Sequence, residues 1–291
     1  MTERLLPTLR TLIDATALLE LQRGGACVVL LDCRFDLFDP AAGERAYAEG
    51  HLPGAHYVHL DRDLSGPKHD ADGRFRGRHP LPAPEAWAAT VGQLGIAPGA
   101  AVVAYDAQGG PYAARAWWML RWLGHDAVAV LDGGLGAWTA AGGPLSRDVP
   151  PRADAAPYPA GPASMPVIDA DALAARLGRV CIVDARAGER FRGEVEPLDA
   201  AAGHIPGALN RFFQANLRAD GRFKDAATLR AELQPLVAGH AADAVVQQCG
   251  SGVTACHNLL ALEHAGLGTS VLYPGSWSEW SCDAARPVAV G

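Results

Sequence analysis

The sequence predicts an α/β protein built as two tandem domains, each a mainly parallel sheet flanked by helices. Three observations point there. The 291 residues exceed the roughly 100–200 of an ordinary domain and suit two. Short β-branched runs alternate with longer segments of helical spacing, the pattern of parallel βαβ units. The chain also repeats its own landmarks in the same order, so that one domain plan is written twice.

The first landmark is an apolar run closed by Asp-x-Arg. Residues 28–31 lead into Asp32-Cys33-Arg34, and residues 180–183 into Asp184-Ala185-Arg186. Both runs are expected as buried strands. Next, Gly50-His51-Leu52-Pro53-Gly54-Ala55 returns as Gly203-His204-Ile205-Pro206-Gly207-Ala208. Its presence in both halves marks it as a structural turn into a strand, Pro fixing φ and Gly permitting the reversal. A central strand over 101–105 ends at Asp106, and its counterpart over 244–248 ends at Cys249. Helical spacing follows from Val253 to about Ala265, with Val253, Cys256, Leu259, Leu260 and Leu262 on the apolar face and Gly266 as the stop. A strand over 270–273 comes next. The last landmark is Asp132-Gly133-Gly134 with Trp138, echoed by Pro274-Gly275-Ser276 with Trp280.

Between the halves, residues 142–166 hold seven prolines (Pro144, Pro150, Pro151, Pro157, Pro159, Pro162, Pro166) and no periodic apolar pattern. The expected division is therefore a first domain over 1–141, an extended and fairly stiff linker over 142–166, and a second domain over 167–291. Composition narrows the function. Acidic residues number 32 against 25 Lys+Arg, a net charge of −7 with no basic run, which disfavours a nucleic-acid partner. No stretch approaches ~18 consecutive apolar residues, and residues 1–12 lack an apolar core before a cleavage site, so a cytoplasmic protein with no membrane partner is expected. Six cysteines (Cys27, Cys33, Cys181, Cys249, Cys256, Cys282) without a CxxC pair are too sparse for a disulfide scaffold and are expected as thiols.

Chemistry enters where the symmetry breaks. The central strand ends in Asp106 in one half and Cys249 in the other, and Cys249 opens the loop Cys249-Gly250-Ser251-Gly252-Val253-Thr254-Ala255-Cys256 that runs into a helix. In an open α/β sheet, ligands bind beyond the carboxyl ends of the strands. There the unpaired amides and the positive end of the following helix favour an anion. Gly250 and Gly252 let the loop curl so that successive amides can point at one centre, as in an anion nest, and Gly250, Gly252, Val253 and Thr254 are expected to bind the substrate. Such surroundings can draw a cysteine pKa from ~8.5 toward ~3.5–7.5, which makes Cys249 a nucleophile without a dedicated base.

The paired Asp-x-Arg and Gly-His-x-Pro-Gly-Ala elements, the 249–256 loop and Gly275-Ser276-Trp277-Ser278-Glu279-Trp280 resemble a tandem-domain rhodanese along almost the whole chain. In that family the first domain is catalytically silent and the second carries the nucleophile. The Cys-Gly-Ser-Gly-Val-Thr loop is similar to that of 3-mercaptopyruvate sulfurtransferases, whereas thiosulfate enzymes typically carry basic residues just after the cysteine. The resemblance implies attack of Cys249 on the sulfur of 3-mercaptopyruvate, departure of pyruvate, and a persulfide later taken by a small thiol, a thioredoxin-like protein or cyanide. It implies thiosulfate as the alternative donor. No cofactor and no metal are implied. By the same resemblance Arg190 matches a substrate arginine, Arg186 is a second candidate, and Leu198 stands where a further family arginine is expected. A relay of Ser251, His79 and Asp61 would move protons about the leaving group and would place the site at the domain interface. A local hydrogen-bonding role for His79 and Asp61 is the alternative.

Other residues have plainer expected roles. Cys27, Cys33, Cys181 and Cys256 are expected as core thiols, and Trp117, Trp118 and Trp122 as packing on a helix. Arg34 is expected to pair with a nearby carboxylate. His51, His56 and His59 lack a zinc spacing. Rival readings of the loop fare poorly. Gly-x-Gly-x-x-Ala over 250–255 fits a dinucleotide fingerprint, but the next strand ends Leu272-Tyr273-Pro274 with no acid for a ribose. A cysteine phosphatase would need Arg at the position of Ala255. A noncatalytic binding module would not need the retained cysteine and arginines.

Overall fold

A computed structural model describes residues 9–161 and 164–291. The first eight residues, part of the segment read for a leader, and Pro162 and Ala163 of the expected linker lie outside the described residues. Two compact units divide the chain. One takes the described residues of Met1–Leu64 and Ala83–Ser164, with Asp220–Arg222; the other takes Ser65–Pro82, Met165–Ala219 and Phe223–Gly291.

The first unit is a parallel sheet of β1 (Leu12–Ile13), β2 (Val28–Asp32), β3 (His56–Tyr57), β4 (Ala101–Tyr105) and β5 (Val128–Leu131), in the order β1-β5-β4-β2-β3. The second pairs β6 (Cys181–Asp184), β7 (Leu209–Asn210), β8 (Val245–Gln248) and β9 (Val271–Leu272) in the order β7-β6-β8-β9, again all parallel. A single parallel bridge, Val167 to Leu272, stands where the first unit has β1. The central strands β4 and β8 are buried at every position; β4 is the continuous apolar run that a parallel sheet favours, whereas β8 ends in the buried polar pair Gln247 and Gln248. Leu18, Leu30, Val103, Tyr105 and Trp138 anchor one core; Ile182, Val246, Tyr273, Trp277 and Trp280 anchor the other. Each such side chain contributes about 1.5–3 kcal/mol when buried.

The repeated motifs do the same work in both units. Arg34 grips the Asp32 carboxylate through Nε (3.0 Å) and Nη2 (2.6 Å) and donates to the Gly50 carbonyl at 2.8 Å. Arg186 grips Asp184 through Nε (3.0 Å) and Nη2 (2.7 Å) and donates to the Gly203 carbonyl at 2.8 Å. Asp-x-Arg thus ties the end of a strand to the Gly-His-x-Pro-Gly-Ala turn. The turn's histidine stacks on an aromatic ring, His51 on Tyr47 and His204 on Phe191, with Nδ1 2.8 Å from that residue's carbonyl.

Residues 142–161 contain no helix or named strand but are not a free spacer. Ser146 bridges His51, Ala153 donates to the Gln93 carbonyl (2.7 Å) and Tyr158 to that of Ala88 (2.8 Å). Gly92 admits this approach, since a methyl there would press on the backbone of Ala156 and Pro157. The start of the segment mirrors the chain's last residues, where Ala289 bridges His204. Among the thiols, burial pushes Cys33 and Cys181 up, while Cys27 is exposed rather than in the core. Trp117 and Trp118 are fully buried on the helix Pro111–Trp122. No helix among the described residues is long and apolar enough to cross a membrane.

Candidate active site

Strand β8 ends at Gln248, and Cys249 follows as the first residue of the loop before the helix Thr254–His264. The sequence pattern started that helix one residue early, because Val253 stands just outside it as the cap. Cys249 is buried, 1% exposed. The Gly252 N–H donates to its Sγ at 3.2 Å, which turns the loop back on the sulfur. Gly252 makes that possible with φ of +78°, and a methyl on it would overlap the Pro274 carbonyl. Val253 is buried and Thr254 opens the helix.

The first unit carries the same device with a different anion. The Asp106 carboxylate accepts four backbone N–H groups: Gln108 (2.9 Å) and Gly110 (2.9 Å) on Oδ1, Tyr112 (3.0 Å) and Ala113 (3.1 Å) on Oδ2. Burial nonetheless pushes its carboxyl above the ordinary range, against the four hydrogen bonds that favour the anion. The loop after the central strand is thus an amide nest around a carboxylate in the first unit, and in the second it turns one amide toward a sulfur.

The turn after β9 holds the Cys249 loop from its other side. Cys249 N–H donates to Ser276 Oγ (3.1 Å), Trp277 N–H to the Cys249 carbonyl (2.9 Å) and Ser278 N–H to that of Gly250 (2.9 Å). Ser276 has φ of +54° and is the one non-glycine residue with positive φ among those described. Its counterpart Gly134 has φ of +54° as well.

Of the residues singled out from sequence, Ser251 and His79 come together: His79 Nδ1 lies 2.8 Å from Ser251 Oγ, and both are buried. His79 was expected in the first domain, but 65–82 belongs to the second compact unit. Asp61 lies in the first unit, where its backbone N–H donates to His59 Nδ1 at 3.0 Å. Arg190 donates through Nη2 to Glu196 Oε1 (2.6 Å) and Asp199 Oδ2 (3.1 Å). Arg186 needs correction as a candidate substrate ligand. Its side chain is 1% exposed, its Nη1 lies on Glu196 at 3.4 Å and its other nitrogens on Asp184 and Gly203. The guanidinium sits 4.7 Å from the centre of the Trp277 ring, so it is a buried structural clamp whose Nε and Nη2 donors are spent on Asp184 and Gly203.

Sequence reasoning passed over Arg78. Its Nη1 pairs with Asp199 Oδ1, and its backbone N–H donates to Ser278 Oγ at 3.1 Å. A methyl on Gly250 would lie 2.9 Å from Arg78 Nη2 and 3.4 Å from Arg190 Nη1. The residue after the cysteine therefore carries no charge itself, but two guanidinium groups from elsewhere in the unit lie close to the place its side chain would take. Burial first, and then the neighbouring Arg190, push the Arg78 guanidinium down to about 10. The available sequence signal was adjacency to His79; nothing in the spacing linked 78 to 190.

The rhodanese-like domain family matches residues 14–141 and 169–283. The chain belongs to the rhodanese family. A Pseudomonas aeruginosa member named as a probable 3-mercaptopyruvate sulfurtransferase is 48% identical over 269 residues, covering 91% of this chain and 93% of that one. The human 3-mercaptopyruvate sulfurtransferase is 37% identical (89% and 86% covered), and the Gallus gallus thiosulfate sulfurtransferase 32% identical (93% and 93%). Among solved structures, 3-mercaptopyruvate sulfurtransferase from Leishmania major superposes with a TM-score of 0.81 at 32% identity, covering 96% of this chain and 76% of that one. This rhodanese-family chain is accordingly a sulfurtransferase with the two-domain α/β fold expected from its repeats.

Proposed function

We propose that the protein moves a sulfur atom from 3-mercaptopyruvate, through a persulfide on Cys249, to a thiol or to cyanide. The observation that carries this reading is a buried cysteine sulfur facing a backbone N–H of its own loop, with Arg190 beside the next residue. The Cys249 thiolate attacks the donor sulfur. An S–S bond forms, the C–S bond breaks, and its electron pair leaves on carbon as the enolate of pyruvate, which then takes a proton. The Gly252 amide and the helix N-terminus favour negative charge at the sulfur before and after transfer. Arg190 is proposed to bind the donor's carboxylate.

Ser251, hydrogen-bonded to His79, is proposed to relay the proton that the donor thiol loses and the enolate needs. Asp61 as the carboxylate that orients His79 rests on the sequence resemblance. An acceptor thiolate then attacks the outer sulfur and Cys249 leaves as thiolate. Burial of Cys249 favours small donors and shields the persulfide from bulk water. Thiols of this kind suit a reducing compartment, which supports a cytoplasmic location.

Thiosulfate is the second donor to weigh, because two guanidinium groups border Gly250 even though the loop itself is uncharged. Intact-mass spectrometry after incubation with each donor tests the reading. The expected result is a gain of one sulfur from mercaptopyruvate, reversed by cyanide and absent in Cys249→Ser. A sulfur gain that survives in Cys249→Ser would refute it, and faster turnover of thiosulfate would reverse the choice of donor.

A further inference from the structure

We infer that Ser278 and Glu279 are positioning residues of the sulfur-loading step: they dock the segment 76–79 against the turn behind the nucleophile loop and so hold His79 on Ser251. The inference rests on the sulfurtransferase reading and its proton relay, and adds to it two residues that touch neither donor nor sulfur.

Ser278 joins three stretches of chain. Its N–H donates to the Gly250 carbonyl (2.9 Å), while its Oγ donates to the Gly275 carbonyl (3.0 Å) and accepts the backbone N–H of Arg78 (3.1 Å). The next residue is His79, with Nδ1 2.8 Å from Ser251 Oγ. One serine thus ties the residue before the imidazole to the loop that carries the imidazole's partner. A second tie runs alongside, with Arg76 Nη1 3.2 Å from Glu279 Oε1. Burial pushes the Glu279 carboxyl up, and Arg76 is the nearby charge that most draws it back. Gly77, between the two ties, has φ of +102°, and a methyl on it would lie 2.8 Å from the Gly275 carbonyl and 3.1 Å from Ser278 Oγ. Such a close approach needs glycine. Residues 76–82 contain no helix or named strand, so individual bonds of this kind, rather than a ladder, set where the imidazole stands.

The duplicated plan supplies the control. The Leu135 N–H donates to the Asp106 carbonyl (2.9 Å) as that of Trp277 does to the Cys249 carbonyl (2.9 Å), which aligns the two turns residue by residue. In that alignment Ser278 falls on Gly136 and Glu279 on Ala137. The first unit therefore has neither hydroxyl nor carboxylate at these positions. Among the described residues, a methyl on Gly136 would meet no atom beyond its own helix within 4 Å. The hairpin that leads into the docked segment is repeated as well. Ala71-Asp72-Gly73-Arg74-Phe75, with a bridge from His69 to Phe75, returns as Ala219-Asp220-Gly221-Arg222-Phe223, with a bridge from Leu217 to Phe223. The first hairpin continues as Arg76-Gly77-Arg78-His79, the second as Lys224-Asp225 and the helix Ala226–Val237. Docking groups and docked segment occur together in the unit that holds Cys249.

The test is a double-mutant cycle in the full chain, with Ser278→Ala, Glu279→Gln and His79→Ala singly and each of the first two combined with the third. The readouts, by intact mass, are the single-turnover rate of sulfur gain at Cys249 with saturating 3-mercaptopyruvate, the donor concentration at half that rate, and discharge to cyanide. Loading should slow roughly 10-fold in Ser278→Ala and roughly 5-fold in Glu279→Gln, with half-saturation and discharge within about 2-fold, since a displaced imidazole affects the step that moves the donor's proton. Ser278→Thr keeps the hydroxyl and should recover part of the rate. Arg76→Met, at the exposed end of the second tie, should repeat the Glu279→Gln result and serves the cycle if Ser278→Ala does not fold. In the His79→Ala background each change should alter loading by less than about 2-fold, because no imidazole is left to position. Losses that multiply with that of His79→Ala, or loading within about 2-fold of the unaltered chain in Ser278→Ala or Glu279→Gln, would overturn the inference and leave the sulfurtransferase reading standing. Undiminished loading in His79→Ala would overturn the inference together with the relay. An unaltered chain that gains no sulfur at Cys249 would overturn the sulfurtransferase reading and both of these with it.

Discussion

A serine in the left-handed backbone region costs on the order of 1–3 kcal/mol, and Ser276 occupies it beside the nucleophile. Gly134 adopts the same φ in the first unit without that cost. The difference has a function, because Ser276 Oγ accepts the N–H of Cys249 and donates to the Tyr273 carbonyl, so a hydroxyl fixes the backbone from which the sulfur projects. In the proposed mechanism Ser251 and His79 stand one step closer to the chemistry. Replacing either with Ala should slow turnover of mercaptopyruvate by roughly 10²-fold or more if the pair relays protons. Alkylation of Cys249 by iodoacetamide should be little changed, since the thiol's own surroundings are untouched. Unaltered turnover in His79→Ala would dismiss the relay and leave His79 as a buried hydrogen-bond partner.

At the scale of one element, the same strand, loop and helix recur in both units, with four backbone N–H groups on a carboxylate in the first and one on a sulfur in the second. Asp106 completes four backbone hydrogen bonds, so the first unit closes its own trap with a carboxylate. Asp106→Ala would leave those N–H groups without their acceptor. It should destabilise the first unit by about 3 kcal/mol or more, seen as a lowered midpoint in urea unfolding, while sulfur loading of Cys249 in the folded protein persists. Much of this element was legible beforehand. The apolar runs, the glycines and the single place where the copies differ in chemistry identified β4, β8 and Cys249. The partner of the loop was not legible, because the turn at 274–278 meets it only after an intervening helix and strand have been laid down.

At the scale of the whole molecule the two units are not the two halves of the sequence. Residues 65–82 leave the first half to join the second unit, and Asp220–Arg222 join the first. The 142–161 segment, expected to be a spacer, is bonded along its length to Gln93, Ala88 and Leu123. Fragments 1–166 and 167–291 should therefore each lack sulfurtransferase activity. The second holds Cys249 and Arg190 but neither Arg78 nor His79. Mixing the two fragments should restore activity measurably, and full activity in 167–291 alone would contradict the division described here.

The sequence by itself determined the duplicated α/β plan, the buried central strands and the structural part of the Gly-His-x-Pro-Gly-Ala turns, and it singled out Cys249 as the proposed nucleophile. All of these follow from periodicity, turn chemistry and a comparison of one half with the other, which are local along the chain. Only the tertiary structure decided that Arg186 is consumed by Asp184, Gly203 and Glu196, that Arg78 stands beside Arg190, and that Ser276 holds the Cys249 backbone. Those facts depend on which groups the fold brings together, from the two residues that separate Arg186 and Asp184 to the more than a hundred that separate Arg78 from Asp199. A guanidinium looks the same in sequence whether its donors are spent on the protein or left for a ligand, and packing alone separates the two cases.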